Sequence, residues 1–278
     1  MPAPRTAFVL GGGGMLGAAE VGMLGALLEA GIRPDLVVGN SVGAINGAML
    51  AVDPTAEQVQ ELRALWRGIA AQDTFSGSLL GRVARLARSR THIHSPEPLR
   101  RQLCERLPAS FEELEVPFQC VAASIERASA RWFHAGALVP AILASCAVPG
   151  LLPAVRIDGE HHLDGGLVHS IPLGRAIELG ARCIYVLQVG RIEAPLRPPH
   201  WPWEVALVAF EISRRHRFVE DMARVPEGVT VHVLPTGRDA PLNYNDPSQL
   251  RYRDTTDVAA AIERAYRAST EYLGRPEA

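Results

Sequence analysis

Short apolar runs alternate along this chain with longer segments in which apolar residues recur every three or four positions. The runs predict strands at Thr6–Leu10, 36–38, 117–125, 183–189 and 229–234. The periodic segments predict helices at 18–30, from Ser41 through Ala51, and at 56–70, 78–90, 95–107, 140–146, 172–179, 204–223 and 257–273. Because strands and helices alternate, we expect an α/β fold with a mostly parallel sheet covered on both faces.

The chain length fits a single α/β domain, so we expect residues 1–278 to form one domain. A core at about 6–190 is followed by a proline-rich loop at 194–203, and then by a helix-strand-helix extension at about 200–275. Within the core, residues 155–163 predict a hairpin that turns at Asp158-Gly159. Its second strand leads directly to Asp164.

Composition excludes several classes of protein. The net charge of −2 argues against nucleic acid as a partner. Four cysteines without a CxxC pair favour reduced thiols in a cytoplasmic protein, rather than a zinc site or a disulfide framework. We expect no signal peptide and no transmembrane helix, because neither pattern occurs. No metal or other cofactor is expected, and the sequence predicts nothing about the oligomeric state.

The first candidate for chemistry is the turn Gly39-Asn40-Ser41-Val42-Gly43, which follows a short apolar strand. It has the G-x-S-x-G form of a nucleophile elbow, where a strand turns sharply into a helix and exposes the serine hydroxyl. The helix start favours nearby negative charge, and the two glycines avoid side-chain clashes in a tight turn. The pattern therefore predicts Ser41 as a nucleophile.

A glycine row, Gly11 to Gly17, follows the first strand and can offer backbone N–H groups to an oxyanion. It also fits the dinucleotide pattern G-x-G-x-x-G through Gly12, Gly14 and Gly17. Asp35 lies about 20 residues further on, the spacing of a ribose-binding carboxylate. However, Asp35 precedes its strand, whereas a dinucleotide site places the acid after it, so this alternative is the weaker one.

The candidate base for Ser41 is Asp164, in the turn Asp164-Gly165-Gly166. A carboxylate is ionised at neutral pH, so a direct Ser–Asp dyad needs no histidine. His232 could close a Ser-Asp-His triad in chain order, but it lies inside a predicted strand rather than on a loop. His134 is ambiguous. The remaining histidines occupy polar or turn-like stretches and are expected at the surface, at positions 92, 94, 161, 162, 169, 200 and 216.

Together these motifs resemble the patatin-like phospholipase family, over roughly residues 6–189. The family's oxyanion motif is similar to the row from Gly12 to Gly17, and its nucleophile motif to the Ser41 turn. The Asp164 turn resembles its Asp-Gly-Gly/Ala motif, and residues 144–153 resemble the stretch ahead of that aspartate. Two positions depart from the family: Leu16 stands where Arg or Lys is frequent, and Asn40 where Thr is commoner.

The resemblance implies a three-layer α/β/α sandwich and a Ser–Asp dyad that hydrolyses acyl esters of lipids. Ser41 would attack the ester carbonyl, and Asp164 would take the hydroxyl proton. The oxyanion would be held by N–H groups near Gly12, Gly13 and Gly14, and the motif glycines are Gly17, Gly39, Gly43, Gly165 and Gly166. Two other function classes stay open: an esterase or acyltransferase with a non-lipid substrate, and a non-catalytic module that binds lipid or dinucleotide.

Two segments admit a peripheral membrane contact as well as ordinary packing. The helix at 78–90 is apolar on one side and arginine-rich on the other, which is typical of a membrane-surface helix or of a core helix with a solvated basic face. A second apolar set would form a lid, an interfacial anchor or a layer on the sheet: Trp201, Trp203, Val205, Leu207, Val208 and Phe210.

Overall fold

A computed structural model describes residues 5–71, 90–189, 192, 195–238 and 255–275 of the chain. The helix predicted at 78–90 lies outside these residues, apart from Arg90 at its end.

One sheet carries all the named strands of the described residues. The strands are β1 Thr6–Leu10, β2 Leu36–Asn40, β3 Phe118–Ser124, β4 Ser129–Phe133, β5 Val155–Ile157, β6 Glu160–Asp164, β7 Cys183–Leu187 and β8 Thr230–Leu234. Hydrogen bonds connect neighbours along the path β5-β6-β3-β2-β1-β7-β8, and β4 also pairs with β3. The strands β3, β2, β1, β7 and β8 are parallel, whereas β4, β5 and β6 form an antiparallel arm at one end.

Helices cover both faces of this sheet. They are α1 Ala18–Glu29, α2 Val42–Val52, α3 Ala56–Ala71, α4 Glu97–Cys104, α5 Leu138–Ser145, α6 Leu173–Glu178, α7 Pro202–Ala223 and α8 Thr255–Leu273. Successive side chains of a strand point to opposite faces. Accordingly Phe8 and Leu10 of β1 belong to one apolar core, and Ala7 and Val9 belong to the other. The expected three-layer α/β/α sandwich with a mostly parallel central sheet is confirmed.

The strand β1 has the predicted bounds, and the other predicted strands differ from the observed ones by about two residues. The sequence did not predict β4, an antiparallel partner of β3 that is half-exposed over most of its length. Such a strand lacks the continuous apolar run by which the buried strands were recognised. Asp164 is the last residue of β6, and α4 is shorter than the predicted helix 95–107.

The C-terminal elements extend the same sheet and its helical layer. β8 pairs in parallel with β7, and α8 packs along α1. The helix α7 contacts α6 and the short 3-10 helix Gly165–Leu167, which follows Asp164. The division into a core at 6–190 and an extension at 200–275 stays a proposal.

The α1–α8 contact yields a matched pair of substitutions. A Cβ on Gly22 would lie 2.1 Å from the carbonyl oxygen of Ile262, whereas a Cβ on Gly25 would lie 3.6 Å from its nearest neighbour, on Tyr266. We expect Gly22→Ala to lower the free energy of unfolding by about 1–3 kcal/mol, because the two backbones must separate. Gly25→Ala should raise it by about 0.5–1 kcal/mol, because alanine is the better helix former.

Urea unfolding followed by circular dichroism measures both changes. A Gly22→Ala protein as stable as Gly25→Ala would contradict the close packing of α8 on α1.

Candidate active site

Ser41 lies in a strained turn between β2 and α2. Its backbone has φ 53° and ψ −122°, an uncommon conformation for a residue with a side chain, and one that typically costs about 1–3 kcal/mol. The N–H of Ser41 donates to Oγ of Ser145 at 2.8 Å. A Cβ on Gly39 would lie 2.4 Å from the carbonyl oxygen of Gly43, and a Cβ on Gly43 would lie 2.4 Å from that of Leu10. Both positions therefore require glycine.

The pairing on β3 brings Asp164 to Ser41. Asn40, the last residue of β2, is paired with Val121, and the next residue of β3, Ala122, is paired with Asp164. The opposite edge of β3 is occupied by β4, so β2 and β6 share one edge and meet end to end. Because β6 runs against β2, the last residues of both strands face each other across this junction.

The Asp164 carboxylate is buried at this junction. Its Oδ1 accepts a 2.7 Å hydrogen bond from the N–H of Gly166, and its Oδ2 has no partner among the described residues. Burial raises the pKa of Asp164 from 3.8 to about 6, against the opposing effects of the Ser41 hydroxyl, the Gly166 N–H and the Arg214 charge. The Ser41 hydroxyl thus lies close enough to favour the ionised carboxylate, although no hydrogen bond joins it to Oδ2 of Asp164.

The glycine row forms a loop directly against Ser41. A Cβ on Gly12 would lie 3.3 Å from Cβ of Ser41. The N–H of Gly12 donates to the carbonyl oxygen of Ser170 at 2.8 Å, so this N–H is already bonded. Within the described part of the chain, the N–H groups of Gly13 and Gly14 donate to no protein acceptor. They are the donors of this loop that are left for an oxyanion.

Asn40, which stands where Thr is commoner in the family that the motifs resemble, links the three motifs. Its side chain is fully buried, and Nδ2 donates to the carbonyl oxygen of Ser170 at 3.3 Å. The same nitrogen lies 2.5 Å from where a Cβ on Gly12 would be, and Oδ1 lies 2.5 Å from where a Cβ on Gly165 would be. The amide therefore fills the space between the glycine loop and the Asp164 turn.

Arg214 of α7 also reaches this site, and sequence reasoning missed it. Its Nε donates to Oγ of Ser170 at 2.9 Å, and its Nη1 donates to Oε1 of Glu211 at 2.7 Å. Its Nη2 donates to the carbonyl oxygen of Gly12. The apolar period of α7 gave no signal for it, because Val205, Ile212 and Val219 recur at seven-residue steps and are exposed, whereas Arg214 is buried.

An apolar cleft opens beside Ser41. Its volume is about 1010 Å³, including the part that is open to solvent. Its walls are Gly14, Met15, Ser41, Val42, Ile45, Trp66, Ile69, Ile93, His94, Leu99, Cys146, Val148, Leu151 and Leu152. None of these wall residues is Lys, Arg, Asp or Glu, so the described walls suit an apolar chain rather than a charged group.

The structure corrects the interpretation of two histidines. His94 and His162 are buried rather than at the surface. The backbone N–H of His94 donates to the carbonyl oxygen of Leu151, and this bond holds the segment around His94 against the cleft. His162 packs on the ring of Phe133. His232 stacks on Tyr185 at the β7–β8 end of the sheet, so it does not complete a triad with Asp164.

Asp35 does not serve the glycine loop as a dinucleotide-binding acid would. Its Oδ2 accepts from the N–H of Thr6 at 2.7 Å. Thr6 begins β1, whereas the loop follows Leu10 at the other end of that strand. The carboxylate and the loop therefore lie at opposite ends of β1, which removes the main support for the dinucleotide alternative.

Part of the apolar set on α7 is exposed. Trp201, Val205 and Leu207 are 57%, 54% and 45% exposed, so they do not pack on the sheet. Val208 and Phe210 are half-buried, and the side chain of Trp203 lies outside the described residues. No helix in the described residues has the length and hydropathy that crossing a bilayer requires.

The three motifs of this site lie within a segment that matches a known protein family. The family model described as Patatin-like phospholipase matches residues 8–177. Patatin-like phospholipase domain-containing protein ZK370.4 of Caenorhabditis elegans is 34% identical over 192 residues, which cover 66% of this chain and 14% of that protein. Lysophospholipase nte1 of Emericella nidulans is 31% identical over 190 residues, which cover 66% of this chain and 12% of that protein. The chain thus matches a small part of these relatives' length.

A similar fold occurs in a solved structure. The crystal structure of VipD from Legionella pneumophila aligns with a TM-score of 0.50 at 15% identity, covering 98% of this chain and 67% of that chain. At this identity the likeness concerns the fold alone.

The raised pKa of Asp164 has a consequence for stability. Above pH 6 the folded state holds a charge that the unfolded state solvates better, whereas below about pH 4 the group is protonated in both states. We expect the neutral variant Asp164→Asn to be more stable than wild type at pH 8, by on the order of 3 kcal/mol. The gain should shrink at pH 5.

Urea unfolding at both pH values measures this gain, with Ser41→Ala as the control, which keeps the carboxylate. An equal gain at pH 8 and pH 5 would show that the charge of Asp164 is not its source.

Proposed function

This chain belongs to the patatin-like phospholipase family, and on that premise we propose that it is a serine hydrolase of lipid carboxylic esters that uses a Ser41–Asp164 dyad. The observation that carries the proposal is the junction of β2 and β6, where a buried carboxylate that bonds no histidine among the described residues faces the strained serine. The apolar cleft beside Ser41 provides room for an acyl chain.

The proposed reaction has two steps. The ionised Asp164 takes the proton of the Ser41 hydroxyl while Oγ attacks the ester carbonyl, and the resulting oxyanion accepts from the N–H groups of Gly13 and Gly14. The tetrahedral intermediate collapses, the alcohol leaves with the proton from Asp164, and an acyl-serine remains. Water then attacks the acyl-serine with Asp164 again as the base, which releases the acid and restores Ser41.

The environment of Asp164 suits this role. A carboxylate with a pKa of about 6 is a stronger base than an exposed one, yet it is still ionised at neutral pH. Of the three expected oxyanion donors, Gly12, Gly13 and Gly14, we propose the last two, because the N–H of Gly12 donates to the carbonyl oxygen of Ser170. Gly12 then contributes the close approach of the loop to Ser41.

The substrate is proposed from the cleft and from the relatives. One relative is named a lysophospholipase, and the family description is of phospholipases. An apolar chain gains about 0.8 kcal/mol for each CH₂ group that it buries, so an apolar cleft favours long acyl chains. The exposed Trp201, Val205 and Leu207 support a peripheral contact with a lipid surface as part of the same proposal.

The dyad is tested by labelling with a fluorophosphonate, which reacts with an activated serine. We expect one adduct, at Ser41, which is absent from Ser41→Ala and forms at least about 100-fold more slowly in Asp164→Asn. His94→Gln is the matched comparison, because His94 is the titratable imidazole in the cleft wall. The dyad predicts that His94→Gln keeps labelling within about tenfold of wild type, since its base is Asp164.

Intact mass and peptide mapping give the site and the rate. A loss in His94→Gln as large as that in Asp164→Asn would replace the dyad with a histidine base. Full labelling of Asp164→Asn would remove Asp164 from the mechanism.

The lipid substrate is tested by acyl chain length. Across p-nitrophenyl esters of four to twelve carbons and a long-chain lysophosphatidylcholine, kcat/KM should rise with chain length, because each added CH₂ group enters the apolar cleft. A maximum at the shortest ester, together with no release of fatty acid from the lysolipid, would favour the alternative of an esterase or acyltransferase with a non-lipid substrate.

A further inference from the structure

We propose that Arg214, on α7, is a positioning residue for this hydrolysis, because its guanidinium fixes the peptide unit that carries the N–H of Gly13. The inference rests on the proposed function. Arg214 lies beyond the residues 8–177 that the family model matches, and none of the sequence motifs includes it.

The planarity of the peptide bond carries the argument. The carbonyl of Gly12 and the N–H of Gly13 belong to one peptide unit and point in opposite directions, because that unit is planar and trans. The Nη2 of Arg214 donates to the carbonyl oxygen of Gly12 and so holds it toward α7. The N–H of Gly13 must then point away from α7.

A run of glycines needs such a restraint. Gly11 to Gly14 have no Cβ to limit their backbone, so each peptide unit can rotate at little cost. The first units are fixed by backbone bonds, from the N–H of Gly11 to Leu187 and from the N–H of Gly12 to Ser170. The next unit, which supplies the Gly13 donor, has Arg214 as its side-chain restraint.

The guanidinium is itself held on its remaining sides. Its Nε donates to Oγ of Ser170, the residue whose carbonyl accepts from Gly12 and from Asn40. Its Nη1 donates to Glu211, one turn earlier on α7. The N–H groups of the planar guanidinium point in fixed, different directions, so an arginine can donate to all three acceptors at once. The single ammonium nitrogen of a lysine cannot replace this geometry.

The burial pattern of α7 agrees with a positioning role. Its buried side includes the charged residues Glu211, Arg214 and Asp221, whereas Val205 and Ile212 are exposed. Buried charges cost free energy unless they are well paired, so apolar packing alone would not select this arrangement. The same side of α7 also forms hydrogen bonds with the 3-10 helix Gly165–Leu167 and with α6.

Two further hydrogen bonds join the buried side of α7 to neighbouring segments. Oγ of Ser213 donates to the carbonyl oxygen of Leu167 at 2.6 Å, in the 3-10 helix behind Asp164. Oδ2 of Asp221 accepts from the N–H of Gly174 at 3.0 Å. One helix therefore restrains both the glycine loop and the turn that carries the base.

The charge of Arg214 has a second effect, on the base itself. The groups that act on the pKa of Asp164 are the Ser41 hydroxyl, the Gly166 N–H and Arg214, and burial and the Asp164 charge raise the pKa of the neighbouring Cys146 thiol. Of these, Arg214 carries the positive charge, and it lowers the pKa of Asp164. Removal of this charge should raise the pKa of Asp164 and therefore shift the acid limb of the kcat/KM profile to higher pH. A positively charged replacement should leave that limb at the wild-type pH.

Arg214→Gln, Arg214→Lys and a control variant test the proposal with p-nitrophenyl butyrate. The control is Arg224→Gln, which removes an exposed arginine that pairs with Glu220 at the end of the same helix. We expect Arg214→Gln to lower kcat about 10- to 100-fold with KM within about threefold, because a misplacement of about 1 Å costs about 100-fold. Its acid limb in kcat/KM should move to higher pH.

Arg214→Lys separates geometry from charge. Its kcat should be lower than that of wild type, because the guanidinium geometry is lost. Its acid limb should stay at the wild-type pH, because the positive charge remains. Arg224→Gln should match wild type in both. Wild-type kcat in both folded Arg214 variants, or a loss confined to KM, would overturn the proposal. If Arg214→Gln fails to fold by circular dichroism, the kcat of Arg214→Lys decides.

Amide hydrogen exchange distinguishes a failure of this inference from a failure of the proposed function. Exchange in peptides covering residues 11–17 should be faster in Arg214→Lys than in wild type and Arg224→Gln, whether or not the ester is hydrolysed. If the wild-type protein hydrolyses no ester but exchange in residues 11–17 is faster in Arg214→Lys than in wild type, the restraint stands and the hydrolase proposal fails. Unchanged exchange together with unchanged kcat would remove the restraint.

Discussion

The close approach between the start of α2 and the ends of β1 and β2 is the constraint on which the site depends. No Cβ fits at Gly39 or Gly43, because carbonyl oxygens of the facing segments occupy that space. The backbone between these glycines has to reverse within three residues, which places Ser41 at positive φ. The direction of the Ser41 side chain follows from this packing, and the N–H of Ser41 is fixed separately by Ser145.

The second half of the site follows from the register on β3. A one-residue shift of β6 would turn Asp164 to the other face of the sheet, because side chains alternate along a strand. The register that places the carboxylate next to Ser41 also buries it, with Oδ2 unbonded among the described residues. The fold therefore holds a buried carboxylate at a cost in stability, which is frequent where a protein has kept a function.

Local sequence predicted what depends on local chemistry. The apolar run of β1 and the glycine spacing around Ser41 each specify their structure within a few residues, and both were predicted correctly. The strand β4 was missed, because its half-exposed side chains carry no period that marks a strand. Arg214 was missed for a different reason. Its acceptor Gly12 lies 202 residues away in the sequence, and an arginine on a helix usually occupies a solvent-exposed position.

The position of α7 in the chain bears on what counts as the working unit of this protein. The family match ends at residue 177, whereas the helix that fastens the glycine loop spans Pro202–Ala223. A segment chosen by its motifs alone would carry the proposed nucleophile, the proposed base and every motif glycine, but it would lack the arginine that bonds the carbonyl of Gly12. Transfer of this chemistry to another scaffold would therefore have to include a remote cation, or supply a new one, at the back of the loop.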